Sequence, residues 1–110
     1  MDKNITIEIE KLIAMFVIAK GEFNGDEFEY FPKLPKPFSE KLTIKLPKCM
    51  FKGDLLSLRV NDQFDVELWF IDSNEEQYYF SWATIKEYAP TLAAVVFTHI
   101  YDMIENLEDC

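Results

Sequence analysis

Histidine and cysteine are almost missing from this chain: His99 stands alone, and Cys49 and Cys110 are the two thiols among 110 residues. A structural zinc ion takes four Cys, His or acidic ligands at short paired spacings, which these residues do not supply, so no metal is expected. Nucleophilic catalysis needs a base oriented by a third group. His99 falls on the apolar stripe of a helix, and its expected role is packing, with a bond to a neighbour such as Asp102 three residues on. Cys110 ends the sequence, where frayed backbone leaves a disulfide little to hold. Two free thiols, a reducing compartment and a cytoplasmic location are the expectation.

Glycine is as scarce. Gly21, Gly25 and Gly53 form no phosphate-cradling loop, so no nucleotide cofactor is implied. Long apolar runs are missing too; the longest, Leu12 to Ala19, falls well short of the roughly 18 to 20 residues that span a bilayer. Asp2, Glu8 and Glu10 occupy the place where a secretory signal needs a basic region. Basic residues number 11 against 20 acids, a net charge of −9. Residues 33–53 oppose this trend with six Lys against Glu40, whereas residues 1–32 and 54–110 stand at −4 and −10. That field repels nucleic acid and anionic membrane and favours a basic partner.

What the chain does hold is apolar and aromatic surface, with 49% hydrophobic and 15% aromatic residues. Such a composition can repay the ordering entropy of folding, and the length suits one domain over residues 1–110. Ile5, Ile9, Leu12, Ile13, Phe16 and Val17 recur at helical spacing from about Asn4 to Lys20, with Gly21 placed for a left-handed C-cap. Ile5, Ile7 and Ile9 alternate equally well as a strand. Asn24-Gly25 between aromatics signals a short hairpin turn. Pro32, Pro35 and Pro37 predict an extended connector from Phe31 to Phe38, with both of those aromatics exposed.

Alternation then predicts an antiparallel meander of about four strands. These are Leu42 to Leu46; Leu56, Leu58 and Val60; Phe64, Val66, Leu68 and Phe70 opposite Asp65, Glu67 and Trp69; and Tyr78, Phe80 and Trp82. Asn61-Asp62 and Asp72 to Glu76 are the turns. The second has some calcium-loop composition but carries Gln77 and Ala83 where glycine and a bidentate acid are required. Thr84 and Glu87 have capping-box spacing. Leu92, Val95, Val96, His99, Ile100, Met103, Ile104 and Leu107 define a helix from about Pro90 to Glu108. The fold class is α+β, a sheet packed by an N-terminal and a C-terminal helix.

No assembled catalytic residues emerge, so the expectation is a binder and not an enzyme. Asp65 and Glu67, about 7 Å apart by strand geometry, could in principle act as an acid/base pair, but any acidic strand produces such pairs. Aromatics on a charged face mark interfaces better. The candidate partner-binding residues are Asp65, Glu67, Trp69, Asp72, Glu75, Glu76 and Tyr79 on the sheet, with Phe97 and Tyr101 on the last helix. A second layer, such as the first helix, covering these aromatics is the alternative. The expected function is a small acidic interaction module of the inhibitor, immunity or phage counter-defence kind that blocks a protein with a basic patch. An acidic mimic of nucleic acid is the second reading, a small-ligand binder or enzyme the third, and a homodimer through an uncovered aromatic surface is compatible with the first.

Overall fold

A computed structural model describes residues 3–36 and 38–108, with side chains from 9 to 36 and from 38 to 103. Pro37, Cys110 and the side chains of Ile5, Ile7, Ile104 and Leu107, all used in the sequence reading, lie outside the described residues.

The first segment is helical, α1 (Lys3–Lys20). Its turns bury Ile13, Ala14, Phe16 and Val17, the three-and-four spacing of one face, and leave Met15 exposed. The chain then reverses at Gly21, which is not in the left-handed region expected of it. Steric room decides that position instead: a Cβ there would lie 2.5 Å from the Val17 carbonyl oxygen and 2.7 Å from that of Glu29. The next two strands, β1 (Glu22–Asn24) and β2 (Glu27–Tyr30), form the expected hairpin one residue out of the predicted phase. Asn24 pairs with Glu27, so Gly25-Asp26 is the two-residue loop. Gly25 has φ 73° and Asp26 a negative φ, the requirement of a type II′ turn.

Residues 31–41 form the connector, which buries Leu34 and packs Phe38 against the core, so Phe31 alone of its two terminal aromatics is exposed. Four further strands follow: β3 (Leu42–Lys45), β4 (Met50–Val60), β5 (Val66–Ile71) and β6 (Gln77–Ser81). Among the described residues the sheet has six antiparallel strands, in the order β1-β2-β4-β5-β6 with β3 also on β4. The meander of four is therefore extended by the hairpin. Eleven residues make β4 long enough, about 36 Å, to pair with β3 along Met50–Gly53 and with β2 along Leu58–Val60. A register shift between Leu55 and Ser57 lets the strand bend between its two partners.

Of the two predicted turns the first differs from expectation, and the second, residues 72–76, falls where predicted. Between β4 and β5 the connection is not Asn61-Asp62 but the five residues Asn61–Asp65. The Asn61 amide donates to the Asp65 carbonyl, and Asn61 Oδ1 accepts from the amides of Gln63 and Asp65. Phe64, expected to point into the core, sits at φ 63° on this loop and is 69% exposed. Asp72 organises the β5–β6 loop in the same way, accepting from the amides of Asn74 and Glu76, with Glu75 at φ 64°.

Trp82, read as a strand residue, begins the helix α2 (Trp82–Tyr88). Its cap is Ser81, whose Oγ accepts from the Thr84 amide at 3.2 Å, and not the Thr84/Glu87 pair. The last helix, α3 (Pro90–Glu108), has the predicted bounds.

One face of the sheet meets the helices. Leu58, Val60, Val66, Leu68 and Phe70 pack with Ile13, Phe16 and Val17 of α1, Trp82 and Ile85 of α2, and Leu92, Val96 and Ile100 of α3. Each large apolar side chain buried there contributes about 1.5–3 kcal/mol. Phe51 extends the cluster, its ring 5.2–5.7 Å from those of Phe70, Tyr78 and Phe80. No helix among the described residues is long and apolar enough to cross a membrane.

Candidate functional site

Strand parity decides what the other face displays. With Leu58, Leu68 and Phe70 turned to the helices, Ser57, Arg59, Glu67, Trp69, Gln77 and Tyr79 turn outward, and Glu27 and Glu29 of β2 join them. Among the described residues no element packs on this face, so the first helix does not cover Trp69 and Tyr79; α1 lies on the core side, where Phe97 of α3 is partly buried and shares a recess with Ile9.

Arg59 organises the centre. Its Nη2 lies 2.9 Å from Glu29 Oε1 and its Nη1 3.3 Å from Glu27 Oε1, while Nε donates to Glu29 Oε1 at 3.0 Å. Ser57 Oγ, fully buried, donates to the same carboxylate at 2.9 Å. The guanidinium also lies over the Trp69 ring, 3.9 Å from its centroid. Trp69 stacks in turn on Tyr79, with centroids 5.0 Å apart and planes inclined by 23°, and Trp69 Nε1 donates to Glu67 Oε1 at 3.1 Å. Charge, cation–π attraction and stacking hold one ladder across three strands, ending in Tyr79 at 55% exposure.

The ends of the face differ in charge, one acidic and the other mixed. Glu67 shares a recess of about 280 Å³ with Glu10, Asn61, Asp65, Tyr79 and Ser81, and among the described residues no cationic side chain lines it. At the other end Lys41, Lys52, Asp54 and Asp72 border a recess of about 470 Å³. Register turns Thr43 and Lys45 to the same side, because their neighbours Leu42 and Ile44 face the core.

The sequence-derived candidates thus separate into groups. Glu67, Trp69 and Tyr79 come together. Asp65 adjoins them from the β4–β5 loop and not from a strand, so the Asp65/Glu67 strand spacing does not apply. Asp72, Glu75 and Glu76 lie in the loop at the start of β6, where Glu76 Oε2 accepts from the Tyr78 hydroxyl at 2.7 Å. That bond, with partial burial and the charges of Glu76 and Asp72, pushes the Tyr78 pKa up to about 12. Burial also raises that of Tyr30. Phe97 and Tyr101 are on α3, with ring centroids 5.8 Å apart, on the helical side of the molecule.

Arg59, Glu27, Glu29 and Ser57 were not singled out from the sequence. The available signal was parity: Glu27 and Glu29 alternate with Phe28 and Tyr30, and Arg59 lies between Leu58 and Val60. His99 forms no bond to Asp102; among the described residues its Nε2 is buried without a hydrogen-bond partner, and both residues border a shallow recess with Pro35, Ala94, Val95 and Thr98. Cys49 is an exposed free thiol. Among the described residues no group of three or more His, Cys, Asp or Glu side chains could hold a metal ion. No protein-family model, curated protein or solved structure matches this chain.

Proposed function

We propose that this protein is a non-catalytic binding module of the inhibitor or immunity type, which docks a protein partner with a basic patch on the outer face of its sheet. The observation that carries this reading is the Arg59–Trp69–Tyr79 ladder on a face that no helix covers among the described residues. Rigid, stacked aromatics and arginine lose little side-chain entropy on binding and dominate interface energetics, while rim carboxylates such as Asp65 and Glu67 speed encounter with a basic surface. A nucleic-acid mimic has less support on this face, because Arg59 offsets part of the charge of Glu27 and Glu29 and because Lys41, Lys45 and Lys52 interrupt the acidic field.

Affinity capture with the wild-type protein, Tyr79→Ala and Tyr101→Ala tests the reading. A stoichiometric partner should be retained by wild type and by the helix-side Tyr101→Ala and lost by Tyr79→Ala. Loss with Tyr101→Ala alone, or no partner for any of the three, contradicts it.

A further inference from the structure

The ladder ends on a strand that has no outer neighbour among the described residues. β6 is last in the sheet order, and the hydrogen-bonding phase of its ladder with β5 can be read from the adjoining loop. Asp72 donates its amide to the Glu76 carbonyl, which makes 72/76 a bonded pair. Moving inward by two, Phe70/Tyr78 and Leu68/Phe80 are bonded pairs, and Ile71/Gln77 and Trp69/Tyr79 are not. The amides and carbonyls of Gln77 and Tyr79 therefore point to the open edge.

Sheet edges are usually blunted by charge, proline, bulges or shortness. The opposite edge, β1, has three residues and begins with Glu22. By contrast, β6 reads Gln-Tyr-Tyr-Phe-Ser, with no charge and no proline over five residues.

We infer that β6 is an acceptor edge for strand addition, taking an extended segment of a protein partner in which basic residues alternate with apolar ones. This deepens the proposed binding function and rests on it. The alternation follows from the two sides that an added strand would meet. Outward, its side chains reach Tyr79 and the recess of Glu10, Asp65 and Glu67; on the core side they meet Tyr78 and Phe80. A second copy of this chain would set Glu67 and Glu76 against like charges on a molecule of net charge −9, so charge complementarity selects a basic foreign strand.

The phase makes the test specific. Tyr79 points its amide at the edge and its side chain outward, so an antiparallel partner residue bonded to it also faces outward and is basic. The probe is a seven-residue capped peptide alternating Lys and Val, beginning and ending with Lys, in three forms: unmodified, N-methylated at the lysine amides, and N-methylated at the valine amides. Titration followed by amide chemical shifts should show binding of the first and third, with slowed hydrogen exchange at Gln77 and Tyr79, and at least tenfold weaker binding of the second. Selective loss with the valine-methylated form instead supports addition in the parallel sense. Equal behaviour of the two methylated forms, no binding of the unmodified peptide, or protected β6 amides in a peptide-free dimer each overturns the inference. Tyr79→Pro, which removes an edge amide without touching the β5–β6 ladder, should reproduce the loss; if it does not fold, the methylated peptides alone decide. Because these arms need no natural partner, the edge can fail while capture through Tyr79 stands, and the converse.

Discussion

Tyr78 is the residue whose chemistry is most open to a direct measurement. Its neutral hydroxyl donates to Glu76, and ionisation would set a phenolate beside the carboxylates of Glu76 and Asp72. The folded state therefore favours the protonated form, with a pKa of about 12 against an ordinary 10.0. A group raised in this way stabilises the fold fully below pH 10, and the contribution is lost as pH climbs from about 10 to about 12. Titration of tyrosinate absorbance should find one of the five tyrosines with a midpoint near 12, and Glu76→Gln should draw it back toward 10. Tyr30, raised by burial, serves as the control that Glu76→Gln leaves in place. A Tyr78 midpoint indifferent to Glu76→Gln would remove the hydrogen bond as the cause.

At the scale of elements, β4 unites the sheet, and Arg59 is where its pairing with β2 is enforced. The Arg59 and Glu29 side chains are 14% and 13% exposed, so truncating one leaves the other poorly hydrated. Arg59→Ala should cost about 2–3 kcal/mol in urea unfolding. Arg59→Lys, which keeps the charge but loses the fork and the stacking on Trp69, should cost about 1 kcal/mol. A cost below about 0.5 kcal/mol for Arg59→Ala would show the pair behaving as a solvent-screened surface contact. The same element shows where the sequence could be read and where it could not. α3 and β5 were legible because one period holds over their whole length, and the outward parity of Glu67, Trp69 and Tyr79 followed directly. The β2–β4 pairing was not legible, since it joins residues 30 apart in sequence, such as Glu29 and Arg59, and with it the centre of the ladder was missed. Local period also misled: Phe64 continues the alternation of β5 while lying in a loop, and Trp82 continues that of β6 while opening a helix capped by Ser81. At Leu55-Leu56 the bulge hides the early part of β4 by breaking the alternation. Gly21 answers to the backbone of Glu29 crossing it, a constraint that no local pattern carries.

Over the whole molecule, net charge and its local arrangement make different predictions about association. Asp65 and Lys52 lie toward opposite ends of the outer face. Asp65→Lys takes the net charge from −9 to −7, and Lys52→Glu takes it to −11. If a basic strand responded to net charge alone, the first change would slow its association and the second would speed it by a similar factor. Within a Debye length of about 8 Å at physiological salt, however, an approaching segment feels the carboxylates beside β6 far more than Lys52, in the part of β4 that pairs with β3. Stopped-flow mixing of the unmodified Lys-Val peptide with each variant, followed by tryptophan fluorescence, should show association about three- to tenfold slower for Asp65→Lys and nearly unchanged for Lys52→Glu, with the Asp65 effect fading as salt rises. Equal and opposite effects would mean that the acidic recess steers nothing of its own and that the bipolar arrangement of the face is incidental to binding.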